Sequence, residues 1–80
     1  MDDRDVLGTI NRLAAREEEL RATEAGRRLT AEERAELADL EVRLDQCWDL
    51  LRQRRARREF GRDPDTAETR APGTVENYRQ

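Results

Sequence analysis

The chain has 80 residues, of which 44% are charged and only 4% aromatic, and its formal net charge is -3. That length allows one small domain and no more. The mild negative balance gives no overall electrostatic case for nucleic acid or an anionic membrane, and the complete absence of histidine removes the commonest general base and metal ligand.

High charge with few aromatics is also the composition of disordered chains, but here the large aliphatic residues from Val6 to Leu51 recur at helical spacing. The first element is an amphipathic helix from Asp3 to about Ala25. Its stripe is Val6, Ile10, Leu13 and Leu20, widened by Leu7 and Ala14. Asp2, Asp3 and Asp5 suit the positive end of its dipole, and Gly26 followed by Arg27 and Arg28 suits its end. Gly8 lies inside it and weakens it by about 1 kcal/mol relative to alanine.

Thr30-Ala31-Glu32-Glu33 reads as a capping box that starts a second helix, over about 31–60. Its stripe is Leu37, Leu40, Leu44, Cys47, Trp48 and Leu51, and Gly61 with Asp63-Pro64 stops it. The short link from Gly26 to Leu29 requires the helices to run antiparallel. The expected fold is therefore all-α: a two-helix hairpin over residues 1–60 and a C-terminal tail over 61–80. That tail holds both prolines and two of the four glycines and has no apolar periodicity, so it reads as mobile or adherent. The first helix is the shorter one and is expected to leave residues 53–60 without an intramolecular neighbour. A hairpin with so small a core is expected to be completed by self-association into a helical bundle, a dimer being favoured, or by a partner helix.

Chemistry is sparse. Cys47 is the sole cysteine, so it forms no internal disulfide, and its place among Leu44, Trp48 and Leu51 marks a buried structural thiol rather than a nucleophile. Glu17-Glu18-Glu19, or Asp45 with Asp49, supply carboxylates, but a di-iron bundle would need Glu-x-x-His motifs. Glu17 and Glu24 fall on the apolar stripe, where an ion pair with an arginine of the second helix or exposure at the rim accounts for them better than a device that fixes register. No metal, cofactor or catalytic residue is expected.

Two features point to partners. Arg52, Arg54, Arg55, Arg57 and Arg58 form a basic run at the end of the second helix, while positions 30–49 carry seven acids and two arginines. This asymmetry suits the helix dipole and an antiparallel partner. Phosphate contact by the run is the alternative, although no aromatic interleaves it for base stacking. All sixteen basic residues are arginine, a bias better explained by a GC-rich genome than by anion recognition. Trp48 is expected to pack in the seam beside Cys47, where truncation to alanine would cost about 3–5 kcal/mol.

The block Leu40-Glu41-Val42-Arg43-Leu44-Asp45-Gln46-Cys47-Trp48-Asp49-Leu50-Leu51-Arg52-Gln53-Arg54-Arg55-Ala56 resembles the signature of small actinobacterial proteins grouped as a domain of unknown function. The likeness extends to Ile10-Asn11-Arg12-Leu13, Leu29-Thr30, Asp63-Pro64 and Val75-Glu76-Asn77-Tyr78. It implies a short cytoplasmic protein with no known activity, and it leaves two courses for the tail, which either floats or docks back onto the hairpin through Val75 and Tyr78. The acidic Met1-Asp2-Asp3-Arg4-Asp5 start has no signal-peptide core and no apolar run reaches membrane-spanning length, which agrees with a cytoplasmic setting without membrane contact. The functional reading is a non-enzymatic helical interaction or oligomerisation module with Leu37, Leu40, Leu44, Cys47, Trp48 and Leu51 at its interface. Its alternative is a nucleic-acid or nucleoprotein accessory factor that uses the arginine run.

Overall fold

A computed structural model describes residues 2–73. Helix α1 spans Asp3–Gly26, helix α2 spans Ala31–Glu59, and a single 3₁₀ turn covers Pro64–Thr66; the described residues contain no strand. The capping chemistry explains the bounds. Asp2 accepts the Asp5 N–H at 2.9 Å and Asp5 accepts the Asp2 N–H at 3.0 Å, a reciprocal box that satisfies donors at the start of α1. The same device opens α2, where the Thr30 hydroxyl accepts from the Glu33 N–H at 3.1 Å and Glu33 accepts from the Thr30 N–H at 2.9 Å. Helix α2 ends in a Schellman arrangement. Gly61 takes φ 70, a value that favours glycine, while the Arg62 N–H donates to the Arg57 carbonyl at 2.6 Å and the Gly61 N–H to the Arg58 carbonyl at 3.1 Å.

The two helices form an antiparallel hairpin. Val6 and Ile10 of α1 pack with Leu44 and Leu50 of α2, flanked by Leu13, Ala14, Cys47 and Leu51. At the turn end Leu20, Leu29 and Leu40 are buried, so the connection contributes its own plug. Arg27 clasps both Glu33 oxygens at 2.8 and 2.9 Å, which ties that connection to the first turn of α2.

Beyond the hairpin, the segment from Asp63 to Arg70 retraces α2 in the opposite direction. Asp65 meets Arg54 at 2.8 Å, the Gln53 amide donates to the Glu68 carbonyl at 2.6 Å, and the Gln46 amide donates to the Arg70 carbonyl at 3.2 Å. Ala67 packs onto the core. An irregular segment cannot satisfy its own backbone groups, so polar side chains at helical spacing on α2 supply the partners. Residues 53–60, expected to lack an intramolecular neighbour, therefore have one: Arg54 is buried and Gln53 and Arg57 are half-buried, while the rest of the segment stays exposed. Arg54 and Arg58 meet the start of α1, Gln53 meets the tail, and Phe60 stays 79% exposed. The sequence pattern concealed this cover because it is polar. Val75 and Tyr78 lie outside the described residues.

Gly8 occupies an ordinary helical position in α1, and a Cβ added there would meet only the flexible end of Arg12 at 3.9 Å. Gly8→Ala is expected to stabilise the chain by about 0.5–1 kcal/mol, because the glycine backbone loses more freedom on folding. Thermal unfolding followed by circular dichroism checks this, and an unchanged or lower midpoint would contradict it.

Candidate interaction surface

The interface candidates on α2 divide by their angle around the helix. Leu40 and Leu44 are buried against α1, and Leu37, Cys47 and Leu51 are half-buried on the same side. Trp48 departs from the expectation. It is 47% exposed, so the seam does not hold it. One residue beyond Cys47 means a further 100° of rotation, which carries the indole out of the seam and onto the hairpin margin. Leu50 fills the buried place on the opposite flank. Asp49 and Arg54, 3% and 4% exposed, are buried as well, although neither was a core candidate. For Asp49 the only sequence signal is its spacing from Gln46 and Gln53, a polar row that reads as a solvated face until a tail lies on it.

Cross-helix ion pairs set the register and mark the two margins. On one margin Arg16 donates to both oxygens of Glu36 at 2.7 and 2.9 Å. Its guanidinium pKa is raised, chiefly by Glu36, and the Glu36 carboxyl is held below its usual range by Arg16. On the other margin Arg21 donates to Glu41 at 2.7 Å. For Glu17 and Glu24 the expected ion pair with an arginine of the second helix does not form among the described residues, since the bridging arginines belong to α1 and their acids to α2, and the rim alternative applies to Glu24. Glu17 instead lies 3.7 Å from Arg21 on its own helix, and Glu24 is exposed. Two helical turns along from Arg21 and Glu41, the antiparallel register sets Ala14 opposite Trp48, and two turns further it sets Leu7 opposite Arg55. Leu7 is 42% exposed. This margin thus carries an apolar strip of Leu7, Ala14 and Trp48. Beside it, Glu17, Arg21, Glu41, Leu44, Asp45 and Trp48 line a cleft of about 430 Å³.

The arginine run does not present one face. Arg54 is buried, with its Nε donating to Asp3 at 2.7 Å and Nη1 to Asp65 at 2.8 Å. Arg58 grips both Asp3 oxygens at 3.1 and 2.6 Å. Arg52 lies 3.8 Å from Asp49 and is largely exposed, Arg55 pairs with Glu59 at 3.3 Å, and Arg57 is half-buried and lines a cleft with Phe60 and Arg70. Two guanidinium groups of the run are thus engaged in holding the fold. Hydrogen bonds from Arg58 and then Arg54 hold the Asp3 carboxyl at about 2, and Arg54 similarly lowers Asp65. Burial raises the pKa of the Cys47 thiol, the opposite of what a nucleophilic cysteine needs.

Among the described residues no group of three or more histidine, cysteine or acidic side chains could hold a metal ion, and no helix is long and apolar enough to cross a membrane. The architecture defines a small all-helical hairpin strapped by its own C-terminal segment. The chain belongs to the DUF2630 family, described as proteins of unknown function, whose model matches residues 2–80. It is 47% identical over 77 residues to uncharacterized proteins of Mycobacterium tuberculosis strain H37Rv and of Mycobacterium bovis. Each alignment covers 95% of this chain and 88% of the relative. No solved structure matches it.

The acid limb of stability follows from Asp3 and Glu33, both held at about 2 in the folded chain against 3.8 and 4.5 when unperturbed. Arg58 and Arg54 lower the first, Arg27 and the Thr30 backbone the second. A depressed carboxyl pKa means the unfolded chain binds protons first, so this contribution is complete above 4.5 and is lost as pH falls from there towards 2. Asp3→Asn is expected to lower the thermal midpoint at neutral pH and flatten this acid decline. Arg55→Gln, at a 78% exposed side chain, should do neither. Midpoints measured by circular dichroism across that pH interval test both statements, and an Asp3→Asn profile parallel to the parent would contradict the first.

Proposed function

We propose that this chain is a non-enzymatic cytoplasmic self-association module whose margin around Trp48 docks against the same margin of a second copy. The exposed Trp48 carries this reading. It is the only tryptophan, and it stands 47% exposed on a margin that also exposes Leu7. Tryptophan is enriched at binding hot spots because a large apolar body and one N–H donor give much contact area for little lost freedom.

Charge along the same row of α2 supports a second copy as the occupant. Glu41 and Asp45 precede Trp48 by about two turns and one turn, and Arg52 and Arg55 follow it by about one turn and two. A two-fold axis at Trp48 sets the acidic end of one copy against the basic end of the other, the self-complementarity a closed dimer needs. The pairing of helix ends expected between copies is met partly within one chain by Asp3, so the self-association reading rests on this margin and not on an uncovered end of α2. The nucleic-acid alternative has less support from the geometry, because Arg54 and Arg58 are engaged by Asp3. The single Cys47, protonated and half-buried, agrees with a reducing compartment.

Sedimentation velocity over a micromolar concentration series tests the proposal. The parent is expected to convert from monomer to dimer as concentration rises. Trp48→Ala should weaken dimerisation by about thirtyfold or more, the scale of a hot-spot truncation, while costing the monomer only about 1–2 kcal/mol because the ring is half in solvent. A parent that stays monomeric throughout, or a Trp48→Ala chain that dimerises equally well, would refute it.

A further inference from the structure

At the far end of α2 from the hairpin turn, a cleft of about 260 Å³ opens between the helix and the returning tail, lined by Gln53, Ala56, Arg57, Phe60, Arg62 and Arg70. Among the described residues that line it, three are arginines and none is acidic. The Nε of Arg57 is buried and has no hydrogen-bond partner, in a fold that otherwise satisfies its buried side-chain polar atoms among the described residues. A buried donor left without a partner costs free energy, and such an atom beside a cleft marks a place where an acceptor belongs. Among the described residues the guanidinium groups of Arg57 and Arg62 form no ion pair. Arg70, whose guanidinium approaches Asp49 at 3.6 Å, lines the same wall.

The backbone presets these groups. The Schellman turn bonds the Arg62 N–H to the Arg57 carbonyl at 2.6 Å, which fixes the two residues next to one another across Gly61. The bonds between Gln46, Gln53 and the tail backbone hold Arg70 alongside. The negative end of the α2 dipole opposes an anion here, but it amounts to about half a charge and its last carbonyls are capped, against the guanidinium groups of Arg57 and Arg62. The size of the cleft lies just under the usual range for drug-sized ligands, so it suits a compact molecule. Phe60, 79% exposed, offers an apolar surface at the rim.

We propose that this cleft is a binding site for a small phosphate monoester, its dianionic phosphate held by the forked donors of Arg57 and Arg62 beside Arg70, and its organic group resting on Phe60. Guanidinium forks match the oxygen geometry of phosphate and bind it through paired charge-assisted hydrogen bonds. The site is separate from the Trp48 margin, and it uses Arg62 and Arg70 from beyond the end of α2, with only Arg57 from the basic run.

Isothermal titration calorimetry of the full chain, with phenyl phosphate and separately inorganic phosphate as probes at fixed ionic strength in sodium chloride, tests this. One saturable site per chain is expected, tighter for phenyl phosphate. Arg62→Gln, at an exposed position that leaves the fold intact, should weaken binding by at least about tenfold, as should Arg57→Gln if its circular dichroism matches the parent. Arg28→Gln at the opposite end of the hairpin should bind like the parent. Absence of a saturable signal, or an Arg62→Gln affinity within twofold of the parent, would overturn the proposal. A single-stranded oligonucleotide that displaces phenyl phosphate with affinity rising with its length would overturn it too, since the cleft would then be one stretch of a longer phosphate track.

Discussion

A single buried guanidinium joins the three segments of this molecule. Arg54, on α2, is 4% exposed and donates to Asp3 at the start of α1 and to Asp65 at the start of the tail strap. A buried cation is costly without paired, hydrogen-bonded anions, so the position of Arg54 is compatible only with a chain that brings both carboxylates to it. Asp3 is shared with Arg58, and this doubled bond holds its carboxyl far below the ordinary range. The start of α1, the path of the tail and the partial cover over the end of α2 all converge on that one meeting point.

From this arrangement comes the division of labour around α2. One side faces α1 through Leu40, Leu44 and the half-buried Cys47 and Leu51. A second is polar, with Gln46, Asp49 and Gln53 reading the backbone and side chains of the strap. What is left is the margin with Trp48, and the end near Phe60 where the strap turns back and encloses the cleft. With the neighbouring sides occupied, the largest apolar groups still exposed on α2 are the indole and the Phe60 ring, and the two proposed sites use one each.

Sequence periodicity and capping chemistry account for most of the secondary structure. The Thr30–Glu33 box appears as read, and the end of α2 falls at Gly61, where a left-handed residue was needed. The Asp2–Asp5 box escaped notice because aspartates in a first turn look like mere dipole partners, and only the reciprocal hydrogen bonds distinguish the two roles. Helical spacing also placed Leu40 and Leu44 correctly. It misplaced Trp48, since an apolar stripe read on one helix has no sharp edge until the neighbour's position defines one.

By itself the amino-acid sequence determined the two helices, their antiparallel connection and the lack of histidine-based chemistry. These depend on local spacing, on caps a few residues apart and on composition, all of which act over one or two helical turns. The tertiary structure alone decided which arginines are free, which face of α2 the tail covers and that Trp48 stands outside the seam. Those outcomes depend on contacts between residues distant in the chain, such as Asp3 with Arg58, 55 positions apart. A charged or polar residue carries no periodic signal of whether its partner is water or a distant carboxylate. That choice is made only when the helices and the strap are packed together.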